Sequence, residues 1–135
     1  MTARFAIGSH TRSPVRMRLL EIVERAIDAV RPEAALARCL RRDGDTLHVA
    51  DHEIDLTRFD RVMVLALGKA SEAMARTVGE LVGDRRVEGV VVGVRDCSLP
   101  PFECLTGSHP VPNAASLRAG RALLRHARAC GPRDL

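Results

Sequence analysis

Two short stretches of the chain are apolar without interruption, while the rest alternates between apolar and polar positions at helical or extended spacing. The first is Val62–Leu67 (VMVLAL) and the second covers residues 89–94 (GVVVGV). Runs of this length suit strands covered on both faces, as in a parallel sheet. Between them Ala70, Met74, Val78, Leu81 and Val82 recur at helical spacing. Strand, helix and strand in that order predict a right-handed βαβ unit with parallel strands. The expected fold class is therefore α/β, a three-layer sandwich around a mostly parallel sheet.

The flanking pattern fills in the other elements. Ser13-Pro14 opens a helix whose Val15, Leu19, Ile22, Val23, Ala26, Ile27 and Val30 are expected to lay a wide stripe on the core. Pro32 stops it, and a second helix is expected over residues 33–42, ended by Asp43-Gly44-Asp45. Residues 46–49 and 53–56 alternate around Asp51-His52 and predict a hairpin. Residues 97–112, with Pro100, Pro101, Pro110 and Pro112, read as one long loop, of the kind that often carries function. Asn113 caps a last helix bearing Leu117, Leu123, Leu124 and Ala127, and Gly131-Pro132 stops it. Asp134-Leu135 reads as the opening of another strand. Residues 1–12 are expected to form a disordered tail and residues 13–135 the folded part.

Composition narrows the functional classes. No apolar run approaches the roughly 20 residues needed to span a membrane. A formal charge of +4 permits phosphate binding, but the basic residues are mixed with acids. With no Trp or Tyr there is almost nothing on which bases would stack, so specific nucleic-acid binding is not expected. Cys39, Cys97, Cys104 and Cys130 form no CxxC pair, and with His109 they match no common zinc spacing. They read as free thiols of a cytoplasmic protein with no metal site. The acid-free start, with Arg4, Arg12, Arg16 and Arg18, leaves a transit peptide or a basic tail open.

Two motifs carry candidate chemistry. Lys69 is the only lysine among 21 basic residues, and it follows Gly68 where the first apolar strand meets a helix start at Ser71-Glu72. Strand ends that feed helix N-termini are where open α/β sheets bind anions. A P-loop is excluded, because Met63 stands where its first glycine belongs and Ala70 where its Ser or Thr belongs. The second motif, Gly107-Ser108-His109-Pro110-Val111-Pro112-Asn113, displays a hydroxyl and an imidazole just before a helix. It reads either as a small-anion or hydroxy-acid site or as a structural proline loop. Arg118, Arg121, Arg125 and Arg128 share one helical face, either solvated or turned toward an acidic partner.

LALGKAS, then GVVVGVR, then GSHPVPNAASLRAG, preceded by LLEIVERAIDAVRPE, resembles the N-terminal region of the glycerate 2-kinase (MOFRL) family over roughly residues 15–135. The resemblance implies a Rossmann-like, incomplete α/β domain that takes D-glycerate, ATP and Mg and forms 2-phosphoglycerate. Lys69 matches the lysine of the family's GKA motif and is the expected catalytic residue. Gly68, Ser71, Gly107, Ser108 and His109 are the expected substrate- or phosphate-binding residues. Asn113 stands where the family usually has Asp. Family members are about three times longer, and their glycine-rich phosphate segment would follow Leu135. The chain is thus expected to be an N-terminal fragment, inactive alone, whose partner is the missing C-terminal part. The alternative is a non-catalytic remnant or small-anion-binding module that pairs with a separate remainder.

Overall fold

The computed structural model describes residues 13–135, so the expected tail over residues 1–12 lies outside the described residues. Helices α1 (Pro14–Ala29) and α2 (Pro32–Cys39) are followed by strands β1 (Leu40–Asp43), β2 (Thr46–Val49) and β3 (His52–Asp55). Strand β4 (Val62–Leu67), helix α3 (Ser71–Val82) and strand β5 (Val87–Gly93) form the expected βαβ unit. Strand β6 (Glu103–Thr106) and helix α4 (Ala114–Arg128) complete the order. Strands β1-β2-β3 make an antiparallel sheet, and β4-β5-β6 a parallel one. The fold is α/β, as the apolar runs predict.

Strand β5 lies in the middle of the parallel sheet and is covered on both sides. Val87 and Val91 face α3 and pack with Val62, Ala75, Val82, Leu99 and Phe102. Val90, on the opposite face, is also fully buried, and α4 crosses the sheet there with Ala119 and Ala122 turned inward. Strand β4 is less covered than its apolar run suggests. Its Val62, Val64 and Ala66 join the α3-side core, but Leu65 and Leu67 on the other face are 41% and 71% exposed.

The far edge of β4 is also bonded at its start. Asp60 and Met63 donate their N–H groups to the carbonyls of Arg133 and Leu135 (both 2.8 Å), and Leu135 donates to Arg61 (3.1 Å). Asp134 pairs in parallel with Arg61, so Asp134-Leu135 runs strand-like as expected. Two charged clasps hold it. Arg61 is bidentate to Asp134 (2.8 and 2.9 Å) and reaches Glu88 (2.6 Å), while Arg133 is bidentate to Asp60 (2.8 and 2.6 Å). The chain therefore leaves β4 over one face through α3 and returns to its other edge over the opposite face through α4.

Several expectations need correction. The second helix stops at Cys39, because Leu40–Asp43 alternates between half-buried and exposed positions and pairs with β2 from Leu40–Val49 to Asp43–Thr46. Gly44-Asp45 is thus a two-residue hairpin turn, with Gly44 at φ 57°, rather than part of a helix stop. The second hairpin strand begins one residue early, at His52, and Leu56 instead starts a short 3₁₀ turn with its side chain buried. The stripe of α1 covers no core: Val15, Leu19, Ile22, Val23, Ile27 and Val30 are all exposed. Helix α3 turns Ser71, Ala75 and Val82 inward and leaves Met74 exposed. In α4 the small Ala119 and Ala122 face the sheet, while Leu117 and Leu124 lie outside. The long loop over residues 97–112 contains strand β6, whose Glu103–Thr106 pair with residues 90–93 of β5.

Two measurements test this account. Gly89 sits at φ +146° on β5, and a Cβ there would stand 1.9 Å from the carbonyl oxygen of Val64. Gly89→Ala should cost several kcal/mol, about the range of severe single substitutions, or abolish folding. Gly120→Ala, in a helix with nothing within 4 Å, should gain about 0.5–1 kcal/mol in urea unfolding. The clasp gives a pH signature. Hydrogen bonds from Arg61, then from the Gly131 N–H, lower the Asp134 carboxyl from 3.8 to about 2. Its contribution is therefore complete above pH 4 and is lost as pH falls toward 2, where the unfolded chain takes up a proton first. Thermal midpoints measured from pH 5 to pH 2 should fall less steeply in Arg61→Ala than in the parent.

Candidate functional site

The carboxyl ends of β4, β5 and β6 are tied side by side by backbone hydrogen bonds. The Gly68 N–H donates to the Val92 carbonyl (2.9 Å), and the Gly107 N–H to the Gly93 carbonyl (2.8 Å). Both motif glycines therefore anchor on adjacent residues of β5. Gly68 takes φ +107°, a conformation open to glycine and strained for other residues, and this directs the chain from β4 into α3. Ala70, not Ser71, occupies the cap position of α3. Ser71 is buried instead, and its hydroxyl donates to the Val92 carbonyl (3.1 Å), fastening the first turn of α3 onto the end of β5.

A cavity of about 490 Å³ opens at this junction, lined by Lys69, Ser71, Glu72, Gly93, Val94, Arg95 and Cys97. It holds two cations, Lys69 and Arg95, against one acid. That acid, Glu72, is already paired with Arg76 one turn along α3 (2.9 Å). The Ser71 N–H donates to the Gly68 carbonyl (3.3 Å), and the next N–H groups of α3, without intrahelical acceptors, add positive potential at the same place. The site is suited to hold a compact anion.

The second motif stands one strand away. Gly107 packs against Val92 and Gly93, and the Ser108 N–H donates to the Ser116 hydroxyl (2.9 Å). Asn113 caps α4 as expected, accepting from the N–H groups of Ala115 (2.9 Å) and Ser116 (3.2 Å), while Ser116 accepts from Asn113 in return (3.3 Å). The cap uses an acceptor oxygen that Asn and Asp share. Ser108 and His109 are exposed on the same sheet edge but do not line the cavity of Lys69. With β5 between them, the strands carrying the two motifs lie about 10 Å apart. The structure thus brings Lys69 and Ser71 to one cavity, with Gly68 in the turn that leads to it, and leaves Gly107, Ser108 and His109 beside it.

The sequence pattern assigned no role to Arg95 and Asp96, which follow the second apolar run. Arg95 shares the cavity with Lys69, and Asp96 accepts a 2.5 Å hydrogen bond from the Thr106 hydroxyl, joining the ends of β5 and β6. The signal was available: both residues directly follow an apolar strand parallel to the one that ends in Gly68-Lys69. The arginine row of α4 is partly engaged, since Arg125 pairs with Glu103 of β6 (2.6 Å), which His126 also contacts (2.9 Å). Among the described residues, no three His, Cys, Asp or Glu side chains stand together to hold a metal ion. No helix there is long and apolar enough to cross a membrane.

Fold and site together define an open, doubly wound α/β protein with a cationic cavity at the carboxyl ends of β4 and β5. The model of one family, a domain of unknown function (DUF4147), matches residues 18–135, and the chain belongs to that family. A D-glycerate 2-kinase of Thermotoga maritima is 31% identical over 108 residues, covering 78% of this chain and 22% of that protein. A glycerate kinase of Danio rerio is 33% identical over 79 residues, covering 58% and 15%. A protein of Agrobacterium vitis named for hydroxypyruvate reductase is 36% identical over 77 residues, covering 56% and 18%. The fold superposes on a Pyrococcus horikoshii protein with a TM-score of 0.75 and on a Thermotoga maritima glycerate kinase with 0.65. Each is 25% identical, and 89% of this chain is covered against 27% and 26% of those chains. The chain spans about a fifth of the length of the curated relatives it matches.

The role of Ser71 can be measured apart from any ligand. The Val92 carbonyl keeps the Gly68 N–H when the serine hydroxyl is removed, so Ser71→Ala should cost only about 1 kcal/mol. Urea unfolding gives the value, and a loss several times larger would mean that the hydroxyl holds more than this contact.

Proposed function

We propose that these residues form part of a glycerate 2-kinase, which transfers the γ-phosphoryl group of ATP to the 2-hydroxyl of D-glycerate. The observation that carries the proposal is the position of Lys69. It stands at the carboxyl end of β4, the strand from which the chain winds outward to both edges, and open α/β sheets bind ligands at such switch points. The names of two relatives supply the substrate.

Lys69, Arg95 and the N–H groups that follow Ser71 in the first turn of α3 fit a phosphate or a carboxylate. When bound, the nucleotide supplies the phosphoryl group, and magnesium neutralises part of its charge. The described residues offer no carboxylate cluster for the metal, so no step is assigned to it. Phosphoryl transfer depends on holding donor and acceptor in line and on neutralising charge on the moving group. In this reading Lys69 places a compact positive charge beside that group. Arg95 holds the substrate carboxylate or a phosphate, and Ser108 and His109 border the acceptor side. The proposed partner is the part of the enzyme that completes the site, and the protein works in the cytoplasm without specific nucleic acid. Residues 1–135 alone bind the anion but do not turn over.

Titration of the purified chain with inorganic pyrophosphate, followed by amide NMR, should move the signals of Gly68, Lys69, Gly93 and Arg95. Lys69→Ala should weaken that binding about tenfold, the effect of roughly 1.4 kcal/mol. Unmoved signals, or equal binding by Lys69→Ala, would remove the anion site. In an enzyme joining these residues to the remainder of a glycerate kinase, Lys69→Ala should lower kcat about a hundredfold, the usual effect of losing one preorganised charge contact. Lys69→Arg should not restore it, because a planar fork replaces a compact ammonium. Near-normal kcat in Lys69→Ala would return the residue to the solvated surface.

A further inference from the structure

Cys97 and Cys104 are distant from the other two cysteines in character as well as in sequence. Cys39 and Cys130 are exposed, whereas Cys97 and Cys104 are partly buried. Both pack against the same apolar cluster, on the α3 face of the parallel sheet. Cys104 is placed there by its register, opposite Val91 on the β5–β6 ladder. Cys97 reaches the same face from the end of β5, where it also lines the cavity of Lys69 and Arg95. The segment between them is a closed excursion. Leu99 and Phe102 are each 8% exposed and anchor it to the core, and the Phe102 N–H donates to the Leu99 carbonyl (2.9 Å) to form the turn. The excursion thus leaves β5 and re-enters the sheet at β6 with a thiol at each end.

We propose that Cys97 and Cys104 form a dithiol site that closes reversibly to an intramolecular disulfide when a hydroperoxide is the oxidant. The proposal concerns chemistry separate from phosphoryl transfer and does not rest on the kinase reading. One thiolate attacks the terminal oxygen of the hydroperoxide, the O–O bond breaks, and an alcohol or water leaves while a sulfenic acid forms. The second thiol then attacks the sulfenic sulfur, the S–S bond forms and water leaves. Two electrons pass from the sulfur pair to the peroxide, and a thiol reductant reverses the change. Burial, and then the adjoining Cys104 thiol, push the Cys97 thiol up to about 11, so the closure should accelerate as pH is raised toward that value.

The test is direct, because trypsin cleavage after Arg95 and Arg118 leaves both cysteines on one peptide, residues 96–118. The full chain is treated with hydrogen peroxide at pH 7 and pH 9, alkylated and mapped by mass spectrometry. It is run both as the parent and in a Cys39→Ser/Cys130→Ser background, so that exposed thiols cannot scramble the result. The expected product is the 96–118 peptide lacking two hydrogens and refractory to alkylation, formed faster at pH 9 and lost after dithiothreitol. In Cys97→Ser the remaining Cys104 should be trapped as a dimedone adduct or a mixed disulfide. Alkylation of both cysteines under peroxide that oxidises Cys39 and Cys130 in the parent would overturn the proposal. So would sulfinic acid at either position without a disulfide, or linkage only between separate chains.

Discussion

Strand β4 is bonded along both edges by segments that reach it over opposite faces of the sheet, and the rest of the molecule follows from that constraint. On one side the β4–β5 ladder runs from Val62–Val87 to Leu67–Val92. On the other, residues 133–135 bond only to its first residues, held by the Arg61–Asp134 and Arg133–Asp60 pairs. Exposed ion pairs stabilise little on their own, but bidentate arginine–carboxylate geometry is the form in which they matter most. Arg61 is the more sheltered of the two, because its side chain is also shared with Glu88 and the Ala129 carbonyl. The start of β4 is therefore fixed on both sides. Its carboxyl end, carrying Gly68 and Lys69, is fixed only on the β5 side.

That asymmetry suits a binding site. The backbone at Gly68 is held by the Val92 carbonyl, and the same carbonyl receives the Ser71 hydroxyl. One acceptor thus fixes both the strand end and the helix start that flank Lys69. The lysine itself is exposed and has room to move its ammonium, while its backbone position is set by buried contacts. A charge that must follow a transferring group works best on such a mounting: rigid at the main chain, flexible beyond it.

How much of this was legible depended on which residues carried the signal. The apolar runs of β4 and β5 gave the βαβ unit, because a parallel strand buried on both faces leaves a continuous pattern that few other elements produce. Asn113 gave its cap for a local reason, a side-chain oxygen within reach of two N–H groups. Leu40–Asp43 misled because LRRD has no apolar alternation strong enough to oppose the helix before it, and only the Gly44-Asp45 turn marked a strand. The stripe on α1 was real, yet periodicity says that a face is apolar and not what lies on it. Strand β6 was hidden because four residues, Glu103–Thr106, bounded by prolines and a glycine, look like loop until β5 supplies a partner. Local spacing was enough to put Gly68, Lys69 and Ser71 at one strand-to-helix junction. The place of Arg95 beside Lys69 was not legible, because it depends on a neighbour 26 positions earlier in the chain.

The covering of β4 connects these observations. Leu65 and Leu67 lie on its α4 face, and α4 turns only small alanines toward the sheet while Leu117 and Leu124 remain outside. Helix α4 lies over β5 and meets β4 and β6 alike, and packing through alanine brings it close to the sheet without covering Leu65 and Leu67. Leu65 and Leu67 face the α4 side, whereas the cavity of Lys69 and Arg95 opens beside the first turn of α3 and Cys97, on the other side of the sheet. The carboxyl end of β4 thus presents an apolar surface on one side and a cationic cavity on the other, and covering the leucines does not by itself close the cavity.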